Sequence, residues 1–271
     1  MQYFDAHAHV QFDAFNEDRQ VVLNDMQEKG VSAIMVGVDK GSSERAVRLA
    51  EEYDHLTASI GLHPNDVLLE EFDTAFFREL GNKSKVVALG ECGLDYYRLF
   101  DDVTTDEARN IIEKQKELFR KHVALAVELD KPLIIHARPT KGTQNAYEDV
   151  ISVLREYKNV HGDKLRGDIH FFVGGVTEAD ALISLGFTLS FTAVLTFTRD
   201  YDEVVRHIPL TSILSETDAP YIAPEGRRGK RNDPLAVIDV VSAIARIREE
   251  DEEIVRKTLV DNATRVFLRE R

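Results

Sequence analysis

The 271-residue chain alternates from end to end between short β-branched apolar runs and segments of helical periodicity. Eight strands are predicted, at residues 3–8, 32–37, 57–61, 86–90, 132–136, 167–171, 187–191 and 212–216. The segments between them are helical; in 104–129, for example, Ile112, Phe119 and Val123 fall on one face. Repeated βα units build a parallel sheet, and eight of them are the number in a (β/α)8 barrel.

Two more helices are predicted after the eighth strand, at about 234–249 and 252–268. The predicted fold class is therefore α/β, a TIM-type (β/α)8 barrel with extra C-terminal helices. We expect one domain over residues 1–271, because such barrels commonly run to about 250 residues as a single unit. A doubly wound open sheet is the alternative, but it requires a glycine-rich phosphate turn after an early strand, and the sequence has none.

Composition restricts the function. Apolar runs are no longer than a strand, which predicts no membrane span, and the single cysteine, Cys92, cannot form an internal disulfide. We therefore expect a cytoplasmic protein, and no obligate protein partner is indicated. The formal net charge of -14 argues against a protein that coats nucleic acid. It does not exclude an enzyme that holds one or two phosphates with arginines and bound cations.

Side chains that bind divalent metals recur at the predicted strand ends, where barrel active sites lie. His7 and His9 are two residues apart on the first strand, so their rings point the same way and form a chelating pair. The fourth, fifth, sixth and eighth strands end at Glu91, His136, His170 and Asp218. Five of the nine histidines fall at predicted strand ends, more than a random scatter gives. This pattern predicts a metal site with more than one ion.

Six sequence blocks resemble those of one family. They are Phe-Asp-Ala-His-Ala-His at 4–9, Gly-Leu-His-Pro at 61–64, Gly-Glu-Cys-Gly-Leu-Asp-Tyr-Tyr at 90–97, Ile-Ile-His-Ala-Arg at 134–138, Glu-Thr-Asp-Ala-Pro-Tyr at 216–221 and Arg-Gly-Lys-Arg-Asn at 228–232. In these the chain resembles the TatD family of metal-dependent deoxyribonucleases, within the amidohydrolase-like superfamily. The resemblance implies a TIM-like barrel, two divalent metal ions and hydrolysis of phosphodiester bonds in DNA.

The resemblance also implies how the ligands divide. His7, His9, Glu91 and Asp218 would hold one metal, and Glu91, His136 and His170 the other. Glu91 suits the shared position because a carboxylate has two oxygens for two cations. The mixed nitrogen and oxygen ligands leave Mg, Mn and Zn open. A metal-activated hydroxide would attack phosphorus, with Asp218 taking the proton; Asp218 and Glu91 are the predicted catalytic residues.

Three residues are predicted to contact substrate. Arg138 lies two residues beyond His136, so an extended backbone aims it into the mouth, where a guanidinium can grip phosphate. Arg231 belongs to the basic run at 227–231, whose alternative role is to pair with acidic residues. His63 either hydrogen-bonds substrate or caps a turn.

Several roles stay open at this stage. Glu216 is interpreted as a residue that orients a ligand or pairs with a buried cation, and Tyr96 and Tyr97 either stack on a base or pack on the rim. The alternative function is an amidohydrolase or esterase that uses the same metal site on a small amide, lactone or ester. A barrel that holds metal without catalysis is a third interpretation.

Overall fold

The computed structural model describes residues 1–268, apart from the side chains of Phe100 and Asp102; the last three residues of the predicted domain lie outside it. Eight parallel strands are hydrogen-bonded in chain order from the first to the eighth. They are β1 Tyr3–Ala8, β2 Val31–Val36, β3 Leu56–Ile60, β4 Val86–Asp95, β5 Leu133–Arg138, β6 Gly167–His170, β7 Phe187–Phe191 and β8 Ile213–Ser215. The predicted barrel class is confirmed.

Helices lie between the strands and follow the last one. They are α1 Arg19–Glu28, α2 Lys40–Glu52, α3 Thr74–Gly81, α4 Leu99–Asp102, α5 Thr105–Leu129, α6 Asn145–His161, α7 Val176–Ser184, α8 Asp202–His207, α9 Val237–Arg248 and α10 Glu252–Phe267. Helix α5 starts where predicted because Thr104 and Glu107 form a capping box, each side chain bonding the other's backbone N–H. Between residues 1 and 268, no helix combines the length and apolarity needed to cross a membrane.

The barrel is nearly closed between β8 and β1, and the connection is made by the segment that follows β8. The backbone N–H of Asp218 donates to the carbonyl of His7 at 2.9 Å, and that of His9 donates to Ala219 at 2.8 Å. The buried Asp5 carboxylate accepts the N–H and O–H of Thr217 at 2.8 and 2.6 Å. Closure therefore occurs beside three of the predicted metal ligands.

Helix α10 packs against the end of the barrel at which the strands begin. The side-chain amide of Asn262 donates to the carbonyl of Ile213 at 2.8 Å, and Arg256 donates to the carbonyl of Gln2. A buried cluster joins side chains of α10 to apolar side chains of the strands; it includes Ile34, Ala88, Ile134, Leu214, Val266 and Phe267. The opposite end, where the strands finish, is left for the site.

Strand β4 is longer than predicted. The sequence prediction ended it at residue 90, but the strand continues to Asp95 and pairs with β5 over that stretch, although Gly90 and Gly93 are of a type that disfavours strands. Gly93 has φ +137°, and a Cβ there would lie 2.0 Å from the carbonyl oxygen of His136. Glycine therefore permits the close approach of the two strands beside His136, and the extension carries Asp95 to the mouth.

Candidate metal centre

The six predicted ligands converge at one end of the barrel, with Glu91 among the other five. One oxygen of Glu91, Oε2, lies 3.4 Å from Nε2 of His7. The other, Oε1, lies 2.9 Å from Nδ1 of His136 and 3.7 Å from Nε2 of His170. The carboxylate is almost completely buried. Oε2 thus faces His7, and Oε1 faces His136 and His170, although the rings of His7 and His170 also stack on each other at 3.6 Å. A carboxylate whose two oxygens have different neighbours can be shared by two cations.

His7, His9 and Asp218 form the first candidate site. The Nε2 atoms of the two histidines are 3.0 Å apart, and Oδ1 of Asp218 lies 3.8 Å from that of His7 and 3.6 Å from that of His9. Nδ1 of His9 donates to the carbonyl of Val36 at 2.8 Å, which leaves the Nε2 lone pair free. Two imidazole nitrogens and a carboxylate oxygen that converge in this way fit a divalent cation.

The family resemblance assigns His136 and His170 to a second site with Glu91. In the structure the ligand atoms of His170 group with those of His7 and Glu91, and those of His136 with His63 and Asp95. Each of the two rings has a carboxylate on the side away from Glu91. Nε2 of His136 lies 3.1 Å from Oδ2 of Asp95, and Nδ1 of His170 lies 2.9 Å from Oε1 of Glu216. Such outer carboxylates orient metal-binding imidazoles and fix which nitrogen keeps its proton. The sequence prediction missed Asp95, although its even spacing of four residues from Glu91 places both on one face of a strand.

The carboxylates dominate the electrostatics. Burial alone lowers the pKa of His136 and His170, but Asp95 and Glu91 raise the pKa of His136 to about 9, and Glu216 and Glu91 raise that of His170 to about 10. Burial raises the pKa of Glu91, yet the surrounding histidines bring it well below its usual range. A site that stabilises two imidazolium cations is also suited to metal cations, which bind by displacing those protons.

Glu216 is held in turn by a buried network. Its Oε1 accepts the N–H of Phe171 at 2.7 Å, and its Oε2 accepts the hydroxyl of Ser190 at 2.7 Å. The same hydroxyl oxygen lies 2.7 Å from Oδ2 of Asp168, whose pKa is raised to about 8 by burial and by Glu216. Because Ser190 has one proton for two carboxyl groups, a protonated Asp168 completes the network. The orientation of His170 therefore depends on Asp168 of β6, Ser190 of β7 and Glu216, which directly follows β8.

His63 lies at the same centre. Its Nδ1 accepts the backbone N–H of Asn65 at 3.2 Å and so caps the turn Pro64–Asp66. The proton of the neutral ring is therefore on Nε2, which lies 3.5 Å from Oε1 of Glu91 and faces the cavity. The two roles weighed from sequence are compatible, since one nitrogen caps the turn and the other is available to substrate. With Asp95 and His136, His63 also forms a third group of possible metal ligands.

The mouth opens into a cavity of about 1420 Å³. It is lined by His9, His63, Glu91, His136, His170 and Asp218, together with Arg138 and several aromatic residues. The guanidinium of Arg138 lies 3.9 Å from the centre of the Tyr97 ring, which holds it at the wall. Tyr96 is buried and donates its hydroxyl to Asp149 at 3.0 Å, a packing role.

Arg231 lies elsewhere. Its guanidinium makes a two-pronged ion pair with Asp18 at 2.7 and 2.6 Å and stacks on Phe15 at 4.3 Å. It is absent from the described residues that line the cavity. Two roles were open for the basic run at 227–231: to contact substrate or to pair with acidic residues. Arg231 pairs with an acidic residue, and its position does not support the predicted contact with substrate.

A (β/α)8 barrel with this cluster at the carboxyl ends of its strands is the framework of a metal-dependent hydrolase. The sequence model described as TatD related DNase matches residues 4–268. The chain belongs to the TatD family of metal-dependent hydrolases, as the six sequence blocks indicated.

Comparison with individual proteins supports the same family assignment. The chain is 37% identical to the uncharacterized metal-dependent hydrolase YabD of Bacillus subtilis, over 97% of this chain and 98% of that one. It is 31% identical to the 3'-5' ssDNA/RNA exonuclease TatD of Pectobacterium parmentieri, with the same coverage of 97% and 98%. The crystal structure of YjjV, a TatD homolog from Escherichia coli K12, superposes with a TM-score of 0.86 at 25% identity over 99% of both chains.

Proposed function

We propose that the protein hydrolyses phosphodiester bonds in DNA, as a deoxyribonuclease or exonuclease that uses two divalent cations. The observation that carries the proposal is the position of Glu91, whose two oxygens face His7 on one side and His136 and His170 on the other. The 31% identity to a 3'-5' ssDNA/RNA exonuclease supports a nucleic acid substrate.

His7, His9 and Asp218 would hold one cation, His136 and His170 the other, and Glu91 both. When bound, the cations supply Lewis acidity, which makes water a nucleophile near neutral pH and offsets the charge of the phosphate. Mg, Mn and Zn all suit a set of imidazole and carboxylate ligands.

Asp218 is the residue proposed to accept the proton of the attacking water. Burial raises its pKa, but the neighbouring imidazoles of His9, His170 and His7 bring it below the ordinary value, so the carboxylate is ionised at neutral pH. It lines the cavity that admits substrate. With Oδ1 directed at His7 and His9, the other oxygen, Oδ2, is the one proposed to take the proton.

Arg138 and His63 are proposed to bind the phosphate. The guanidinium of Arg138 can form two parallel hydrogen bonds to phosphate oxygens, and its stacking on Tyr97 limits the conformations it must give up. His63 presents Nε2–H to the same cavity, because its Nδ1 is occupied by the turn. Both groups supply local positive charge or hydrogen-bond donors in a protein of net charge -14.

The test is cleavage of a single-stranded DNA oligonucleotide with Mg, Mn or Zn, beside a panel of amides, lactones and carboxylic esters. We expect DNA cleavage that is abolished by EDTA and reduced by at least about a thousandfold in Glu91→Ala. Glu51→Ala, which removes a surface carboxylate paired with Lys83, is the matched control and should retain activity. Turnover of the amide or ester panel without DNA cleavage would overturn the proposal in favour of the amidohydrolase function.

A further inference from the structure

Tyr221 is an exposed aromatic side chain at the mouth of the cavity. Its exposed fraction is 53%, whereas every other tyrosine or phenylalanine whose side chain is described between residues 1 and 268 is buried or half-buried. An exposed ring on an open surface is ordinary, but this ring lines the cavity of the metal centre. Aromatic faces kept open beside a polar centre are suited to bind a flat ligand.

The position of Tyr221 is fixed by the turn that also carries Asp218. The N–H of Tyr221 donates to the carbonyl of Asp218 at 2.8 Å. The side-chain amide of the buried Asn232 donates to the carbonyls of Thr217 and Ile222, both at 3.2 Å, and so ties the two sides of the turn together. A ring presented by such a braced turn is preorganised for binding.

The Tyr221 ring lies close to the ring of His9, which in turn stacks on Phe12, next to the first candidate cation site. Its centre lies 6.4 Å from that of His9, with the two planes at 70°. The ring of Phe12 stacks on His9 at 4.5 Å with the planes at 15°. Phe12 therefore holds the His9 imidazole in place. Tyr221 faces the cavity, a short distance from the place where a phosphate would be held.

We propose that Tyr221 is the stacking platform for the nucleobase adjacent to the scissile phosphate; this rests on the proposed phosphodiesterase function. A base and the phosphate of its own nucleotide are separated by one sugar, which matches an aromatic surface next to the cation site. Every base has a π face, so the platform accepts all four bases. A base inside a duplex is already stacked on both faces, so the platform favours single-stranded ends.

The first experiment compares Tyr221→Ala and Tyr221→Phe on oligonucleotides with a normal or an abasic nucleotide next to the mapped cleavage position. Stacking predicts that Tyr221→Ala lowers kcat/KM by roughly 5- to 100-fold on the normal substrate, from a typical stacking energy of about 1–3 kcal/mol, and leaves cleavage of the abasic substrate unchanged. Tyr221→Phe should behave like the wild type. Tyr53→Ala, which changes a tyrosine outside the cavity, is the matched control.

Equal losses on the normal and abasic substrates, or a Phe variant as impaired as the Ala variant, would overturn the proposal. The second result would assign the role to the hydroxyl. A binding measurement separates this failure from failure of the proposed function: a 2-aminopurine oligonucleotide is titrated into Glu91→Gln protein with and without Tyr221→Ala. If the fluorescence quenching requires Tyr221 but the wild type cleaves no DNA, base stacking on Tyr221 is supported and the nuclease function is rejected. If the wild type cleaves DNA but the quenching does not depend on Tyr221, the nuclease function is supported and the stacking role of Tyr221 is rejected.

Discussion

Oδ2 of Asp95 lies 3.1 Å from Nε2 of His136, on the far side of the ring from Glu91. The same carboxylate accepts the side-chain amide of Asn65 at 3.2 Å and the backbone N–H of Tyr97 at 3.0 Å. Two hydrogen bonds, one to each oxygen, therefore fix the carboxylate that selects the protonated nitrogen of His136. Nδ1 is left to face Glu91 at 2.9 Å, the side on which a cation would be shared.

Asp95→Asn should weaken binding of divalent metal by about 10- to 100-fold, because an amide orients the imidazole less firmly and adds no charge to its basicity. Metal affinity is measured by competition with a chromophoric chelator, and activity is followed against metal concentration. Activity of Asp95→Asn should recover at high metal. Glu148→Gln, which removes a carboxylate that α6 contributes to the lining of the same cavity, is the matched control. Equal weakening by the two changes would show a general charge effect instead of a role for Asp95.

Buried His122 should make stability depend on pH. Its Nε2 accepts the N–H of Leu62 at 3.0 Å, its Nδ1 bonds the carbonyl of Leu118 at 3.0 Å, and burial lowers its pKa from 6.5 to about 4. Below pH 6.5, His122 becomes protonated in the unfolded chain but stays neutral in the folded protein. Stability is therefore lost as the pH falls towards 4, by about 2 kcal/mol between pH 6.5 and 5.

The measurement is urea unfolding of the wild type and of His122→Gln at both pH values. The glutamine variant should be less stable at pH 6.5, because its side chain hydrogen-bonds the N–H of Leu62 and the carbonyl of Leu118 less well. Its free energy of unfolding should nevertheless fall less on acidification. Other histidines titrate in both proteins, so only the difference between the two pH slopes reports His122. Identical slopes would contradict a neutral His122 in the folded state.

Arg138 and Arg231 should differ in their effect on substrate binding. Arg138→Ala should raise KM for DNA by roughly 10- to 100-fold, since a charge-assisted hydrogen bond is worth about 1.5–3 kcal/mol. Arg231→Ala should change KM by less than about threefold, because the guanidinium is engaged by Asp18 and an exposed pair contributes about 0–1 kcal/mol to stability. Steady-state kinetics on one oligonucleotide decides between them. A larger effect at Arg231 would restore the substrate contact predicted from its sequence block.

Local pattern was sufficient to predict the barrel and to predict that the histidines and carboxylates at its strand ends come together. Strand and helix periodicities differ clearly along the chain, and parallel strands in a barrel bring all their carboxyl ends to one face. His7 and Asp218 are therefore predictable as neighbours although 211 residues separate them. Their backbones are joined directly, by the N–H of Asp218 and the carbonyl of His7.

Contacts that depend on loop conformation were not predictable. Arg231 is opposite Asp18 only because the loop after β8 folds back over the segment before α1, and nothing in either local sequence specifies that path. The extension of β4 to Asp95 was hidden by Gly90 and Gly93, which weaken a strand pattern but here let the chains approach. Even so, the spacing between Glu91 and Asp95 held a usable signal.

The site as a whole is tested most directly by anomalous diffraction from crystals grown with manganese. Two ions per chain are expected, about 3.5–4 Å apart, with one oxygen of Glu91 on each. His7, His9 and Asp218 should complete one coordination sphere, and His136 and His170 the other. A single ion away from Glu91, or no ion among these side chains at a manganese concentration that supports catalysis, would contradict the shared-carboxylate centre.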